Sequence, residues 1–115
     1  MGPVDRSVAQ HYVWGERCDG WHLLKDARLS VIEERMPPGT AETEHHHVRA
    51  QQFFYVLSGT ATFELNGEKI VVGPRQGLHL PAGSRHRVSN GGGEDLCFLV
   101  VSEPPSHGDR VNSAG

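Results

Sequence analysis

Three consecutive histidines, His45, His46 and His47, stand just ahead of the paired amides Gln51 and Gln52, in the stretch EHHHVRAQQFFYVLSG from Glu44 to Gly59. In an extended chain the side chains at i and i+2 share a face. His45 and His47 therefore project together, and His46 points away. A third histidine, His86, follows the turn sequence PAGSR, and Gln52 opens the apolar run after His47. Imidazole nitrogens ligate Zn, Fe, Ni and Cu at about 2.0–2.2 Å, and three neutral nitrogens leave positions open for water or substrate. Two adjacent imidazoles are the start of such a set; whether a third joins them depends on the fold.

The elements that must position them read as strands. With 115 residues the chain has room for one hydrophobic core. Its 14 glycines and seven prolines fall between short apolar segments, the punctuation of an all-β sandwich or barrel. Strands are expected at Trp21–Lys25, Leu29–Met36, Gln52–Leu57, Ala61–Leu65, Glu68–Val72, Gly77–Leu80, His86–Ser89 and Leu96–Ser102. Asn66-Gly67 is a hairpin signal between two of them. A helix over DARLSVIEERM ranks second, because Ser30, Val31 and Ile32 are weaker helix formers and Pro37-Pro38-Gly39 stops either element. The stretch GTAETEHHH reads as a polar loop leading into a short strand. Strands with tight turns and no clear helix imply an antiparallel barrel whose closure removes exposed edges. We divide the chain into an N-terminal segment 1–20, a barrel 21–103 and a tail 104–115, which lacks hydrophobic pattern and is expected to be partly docked or disordered.

The spacing of these residues carries a resemblance. Gly39, His45, His47, Gln52 and Gly59 follow the spacing of the first motif of the cupin superfamily, and Pro81, Gly83, His86 and Asn90 that of its second. The chain departs from the pattern twice: Gln52 stands where the family usually has an acid, and Arg75 where the second motif opens with glycine. The resemblance implies a single-domain cupin β-barrel, a jelly-roll-like double-stranded β-helix. It also implies one divalent metal ion (Zn, Mn, Ni or Fe) on His45, His47, Gln52 and His86. His46 faces outward by its parity, Phe54 and Val56 line the interior below Gln52, and Phe53 and Tyr55 face out.

Chemistry beyond metal binding needs proton carriers or clamps. Glu33, Glu34 and Arg35 lie on a strand where either parity buries at least one charge, and an unpaired buried charge costs several kcal/mol. Glu34 is therefore one candidate. His79, two residues before Pro81, is the other, as a group facing the cavity. Arg85 and Arg87 could steer an anionic substrate; Trp14, Trp21 and His22 could cover the mouth or a dimer interface; His107, Asp109 and Arg110 could fold back over an entrance.

The resemblance spans dioxygenases, isomerases, lyases, epimerases and cyclases. Cupins that open unsaturated uronates also use Gln in the metal set, but the places that would match their catalytic Asp and aromatic on the last strand fall on Leu99 and Val101. An amide oxygen brings no charge, so a metal on three imidazoles and Gln52 keeps a net charge near +2, where a glutamate would leave about +1. This favours Lewis-acid over redox chemistry. The expected function is a metal-dependent enzyme performing a redox-neutral reaction (isomerase, lyase or cyclase) on a small oxygen-rich molecule. A non-catalytic small-molecule or metal-binding cupin and a non-haem metal dioxygenase stay open as alternatives. A net charge of −3 without like-charge blocks argues against nucleic acid. No apolar run approaches the roughly 18 residues that cross a bilayer. Cys18 and Cys97 lack CxxC spacing and no signal peptide is evident, so a cytoplasmic homodimer is expected, its outward aromatics covered by the partner.

Overall fold

The alternating apolar runs fold as strands. In the computed structural model, which describes residues 2–113, eleven strands and no helix are present among the described residues. They are β1 (Gln10–Trp14), β2 (Cys18–Lys25), β3 (Ser30–Met36), β4 (His45–His47), β5 (Gln51–Ser58), β6 (Ala61–Leu65), β7 (Glu68–Val72), β8 (Gly77–Leu80), β9 (His86–Ser89), β10 (Leu96–Glu103) and β11 (Arg110–Asn112). One sheet has the order β1-β2-β3-β10-β5-β8 and the other β11-β4-β9-β6-β7, all pairs antiparallel. The all-β expectation holds. The helix alternative fails because Ser30–Met36 pairs with β2 on one side and β10 on the other, a central position that suits Val31 and Ile32.

Both flanks join the sheets. The segment drawn as 1–20 contributes β1 and the start of β2, and the tail contributes β11, which pairs with the histidine strand β4. Met1, Ala114 and Gly115 lie outside the described residues. No helix is long and apolar enough to cross a membrane among the described residues.

Strand parity divides the interior into a packed end and a polar end. Along β5 the inward side chains run Val56, Phe54, Gln52, and along β10 they run Phe98, Val100, Ser102. Met36, Val56, Phe63, Leu96 and Phe98 fill the packed end. Phe54 closes it: its ring sits edge-on to Phe63 at 5.0 Å, 5.6 Å from Phe98, and 6.1 Å from the His86 ring on the polar side. Phe53, 43% exposed, faces out as expected.

Two turns show how backbone demands meet sequence. Asn66 and Gly67 have φ of 50° and 85°, the both-positive pattern of a two-residue hairpin turn between Leu65 and Glu68. Arg75 occupies the left-handed region too, at φ 64°, with its N–H donating to Val56 O (2.8 Å). This is the place where the resembled motif opens with glycine. The fold still requires the left-handed conformation there, and Arg75 adopts it at a cost of about 1 kcal/mol. Replacing Arg75 by Gly should stabilise the protein by about 1 kcal/mol and raise Tm by about 4 °C; thermal unfolding of Arg75→Gly beside wild type checks this, and an unchanged or lower Tm contradicts it.

Candidate metal centre

Short strands bring the histidines together. β4 pairs with β9 at His45 opposite His86, and the turn before β9 is tied to β4 by the Gly83 N–H, which donates to His47 O (2.8 Å). Ring centroids lie 5.0 Å apart for His45 and His47, 4.3 Å for His45 and His86, and 5.9 Å for His47 and His86. All three are buried, with candidate ligand atoms within 4.8 Å of one another. His46, between them, turns away as expected and is only half-buried.

Hydrogen bonding settles two of the tautomers. A backbone carbonyl can only accept, so His45 Nδ1–H donates to Thr43 O (2.8 Å) and His86 Nδ1–H to Ser84 O (3.0 Å). Each ring thereby keeps its Nε2 lone pair for another partner. Burial, the largest cause in each case, lowers the His45 pKa to about 3 and that of His47 to about 4, and lowers His86 as well. The rings are neutral, as ligands must be.

Gln52 lines the same cavity. Its Nε2 donates to Ser102 Oγ (3.0 Å), which leaves Oε1 buried without a partner. His47 Nδ1 and His86 Nε2 are likewise buried and unpartnered. Such orphans each cost about 1–3 kcal/mol, and here three of them belong to residues that line one cavity. The three histidines are therefore positioned to hold a divalent ion, and the unpartnered oxygen of Gln52 belongs to the lining of the same cavity.

The cavity measures about 280 Å³. Among its described lining residues, Glu34 and Glu42 are the carboxyls. The parity of β3 sends Glu34 inward with Ile32, while Glu33 and Arg35 pair outside with Arg6 and with Asp19 and Asp95. Glu34 Oε2 accepts from the Tyr12 hydroxyl (3.1 Å), and burial raises its pKa to about 7. Tyr12 reaches it by passing over its strand partner Gly20, where a Cβ would come within 2.2 Å of Tyr12 Cζ. Glu42 Oε1 accepts from the Val88 N–H (3.1 Å); burial, then repulsion from Glu34, raises it to about 8. The sequence reading missed Glu42, Tyr12 and Ser102. Glu42 belongs to a stretch read as loop, and no spacing marks it.

The remaining candidates divide between the cavity and the outer surface. His79 lies on the outer face of β8, exposed, bonded to Gln51 Oε1 (3.0 Å), because its parity matches Phe53 opposite it rather than Gln52. It does not face the cavity. Arg85 is exposed and Arg87 binds Glu42 O, so neither lines the cavity. Trp14 lines the cavity, whereas Trp21 lies outside under the Arg6 guanidinium (4.1 Å to its ring centroid) and the His22 ring packs tilted against Tyr12 and His107. Leu99 and Val101 are not the inward residues of β10; Val100 and Ser102 are, and neither is acidic. The tail folds back, with Ser106, His107, Gly108 and Arg110 forming part of the cavity wall. Asn90, the last residue of the second motif, is structural: its Nδ2 donates to Met36 O and Glu94 O, both at 2.8 Å.

The sequence signature described as the cupin domain matches residues 32–102, a span that contains the whole donor set. The chain belongs to the cupin family. Among its relatives, an uncharacterized protein of Methanocaldococcus jannaschii is 29% identical over 89 residues, 76% of this chain and 71% of that protein. The polyketide synthase protein CurC of Streptomyces cyaneus is 38% identical over 69 residues, 60% of this cupin but only 45% of CurC. This cupin thus spans less than half the length of that relative. Among solved structures, the polyketide cyclase RemF from Streptomyces resistomycificus superposes with a TM-score of 0.86 at 22% identity, covering 100% of this chain and 87% of RemF, a likeness of fold.

Histidines and carboxyls pull the stability of the metal-free cupin in opposite directions. The histidine pKa values are depressed on folding, so their contribution is complete above the ordinary 6.5 and is lost as pH falls towards about 4 and 3. The carboxyl values are raised, so their contribution is complete below 4.5 and is lost as pH rises through about 7 and about 8. Urea unfolding across this range should therefore give a maximum close to about pH 6. The double variant Glu34→Gln, Glu42→Gln should lose the alkaline decline and keep the acid one.

Proposed function

We propose that this cupin is a metal-dependent enzyme performing a redox-neutral reaction, isomerisation, elimination or cyclisation, on a small oxygen-rich molecule. The observation that carries the reading is a donor set without a carboxylate, three neutral imidazoles and the unpartnered Gln52 oxygen, in one cavity with two carboxyls. A divalent ion (Zn, Mn, Ni or Fe) on that set would supply Lewis-acid polarisation of a substrate oxygen with nearly its full charge. Glu34 and Glu42 are suited to take and return protons, since carboxyls tuned to near neutrality match the pH of the reaction. The Tyr12 hydroxyl orients Glu34, the Val88 N–H orients Glu42, and the walls of Tyr12, Trp14 and Phe54 exclude water from a flat substrate. Arg110 at the wall gives an anionic group a cation to meet. These two tuned carboxyls favour an enzyme over a passive binder, and the cyclase named in the RemF comparison supports cyclisation as one of the three reaction types.

The setting we propose is cytoplasmic, consistent with two free cysteines. A homodimer would cover the outward Phe53 and its neighbours on that sheet face.

The test begins with metal analysis of untagged protein, followed by a screen of sugar acids, dicarbonyls and aromatic diols with that metal and an oxygen electrode. Turnover without oxygen uptake is expected. Glu34→Gln should cut kcat by about 10²-fold or more while metal content holds, and Gln52→Glu should slow the reaction by lowering the net charge at the ion from about +2 to about +1. Stoichiometric oxygen consumption, or a faster Gln52→Glu enzyme, overturns the reading.

A further inference from the structure

The turn that joins His47 to the strand of Gln52 is only three residues long, Val48, Arg49 and Ala50. The backbone N–H groups of all three end on one residue some 60 positions away. Val48 N–H donates to the Asp109 carbonyl oxygen (3.2 Å), and Arg49 and Ala50 N–H donate to Asp109 Oδ2 at 3.0 and 2.8 Å, with Arg49 also 3.2 Å from Oδ1. Ala50 and Asp109 are buried, at 2% and 8% exposure. Asp109 is itself fixed by its N–H to Ser106 O (3.1 Å), and beyond it Arg110 pairs with His47 and Asn112 with His45. The Ser113 N–H closes the segment onto Glu44 O (3.0 Å). The same segment supplies His107, Gly108 and Arg110 to the cavity wall.

We infer that Asp109 is a positioning residue for the donor set. Through it, segment 106–113 and the histidine–glutamine turn form one unit, so that seating of the wall and occupation of the donors promote one another. This rests on the metal-centre reading above. The physical reason is that the three-residue turn sets the relative height of His47 and Gln52. A turn whose N–H groups are held by the carboxylate and carbonyl of one residue is restricted to one conformation, whereas an unheld turn has several, most of them wrong for shared ligation. Because coupling between two binding events is reciprocal, whatever factor the seated wall adds to metal affinity the metal must return to seating of the wall.

The test is Co²⁺ titration, read by visible absorption, of wild type, Asp109→Asn and Asn90→Ala. Asn90→Ala removes a buried side chain that bonds Met36 O and Glu94 O and touches no donor, so it reports a general loss of stability. Asp109→Asn should bind Co²⁺ about tenfold more weakly, the effect typical of groups that support ligands, with an altered absorption spectrum. Asn90→Ala should lower Tm and leave affinity within about twofold. In wild type, hydrogen exchange at the Asp109 and Ser113 amides should slow by a similar factor of about ten on metal addition, a readout that needs no variant to fold. Equal affinity in Asp109→Asn, an equal loss in Asn90→Ala, or exchange indifferent to metal overturns the proposal while the metal reading stands. Wild type that takes up no Co²⁺ removes the metal reading and this proposal together.

Discussion

One register position holds the site together: His45 opposite His86, the pair that joins β4 to β9. A slip of a single residue would turn His46 inward in place of His45 and His47, because strand side chains alternate with a period of two. So short a contact cannot hold by itself. It is flanked by β11 on one side and by the longer β9–β6 ladder on the other, and Gly83, at φ 82°, bends the preceding turn so that its N–H reaches His47 O. The rings are then aimed by bonds from Nδ1 to nearby carbonyls, which leave the Nε2 atoms of His45 and His86 for the cavity.

The polar end of the barrel is expensive. Three imidazoles, two carboxyls and the oxygen of Gln52 are withdrawn from water, and the tuned pKa values express that cost directly. The packed end offsets it. Phe54, Phe63 and Phe98 meet at 5.0 and 5.6 Å around Met36 and Val56, and burying each such ring is worth about 1.5–3 kcal/mol. The arrangement is economical because the same strands serve both ends. On β5 and β10 one inward face passes from apolar to polar within four residues, so the core stiffens the residues that carry the chemistry.

Much of this was legible in the chain. The inward positions of Phe54, Val56 and Gln52, the outward positions of Phe53 and His46, and the hairpin at Asn66-Gly67 follow from period-two alternation and turn chemistry, both properties of a few adjacent residues. Alternation also said that the Glu33–Arg35 stretch must bury a charge, but could not say which one. The parity of β3 was decided by pairing with β2 and β10, and it chose Glu34. His79 failed for the same reason: four residues of β8 carry too little pattern to choose a face, and the register with Phe53 chose the outer one.

What the sequence by itself determined is therefore the local frame: an all-β chain, the candidate donor residues and their motif spacing, and the hairpin turn at Asn66-Gly67. What only the tertiary structure decided is the surroundings of that frame. Glu42 meets Val88 across 46 positions, Tyr12 meets Glu34 across 22, and Asp109 meets Ala50 across 59. Each partner lies in a segment without hydrophobic periodicity, or on a parity that only its neighbours could choose. Alternation records which face of a strand avoids water, but it carries no information about which distant polar group will be waiting there.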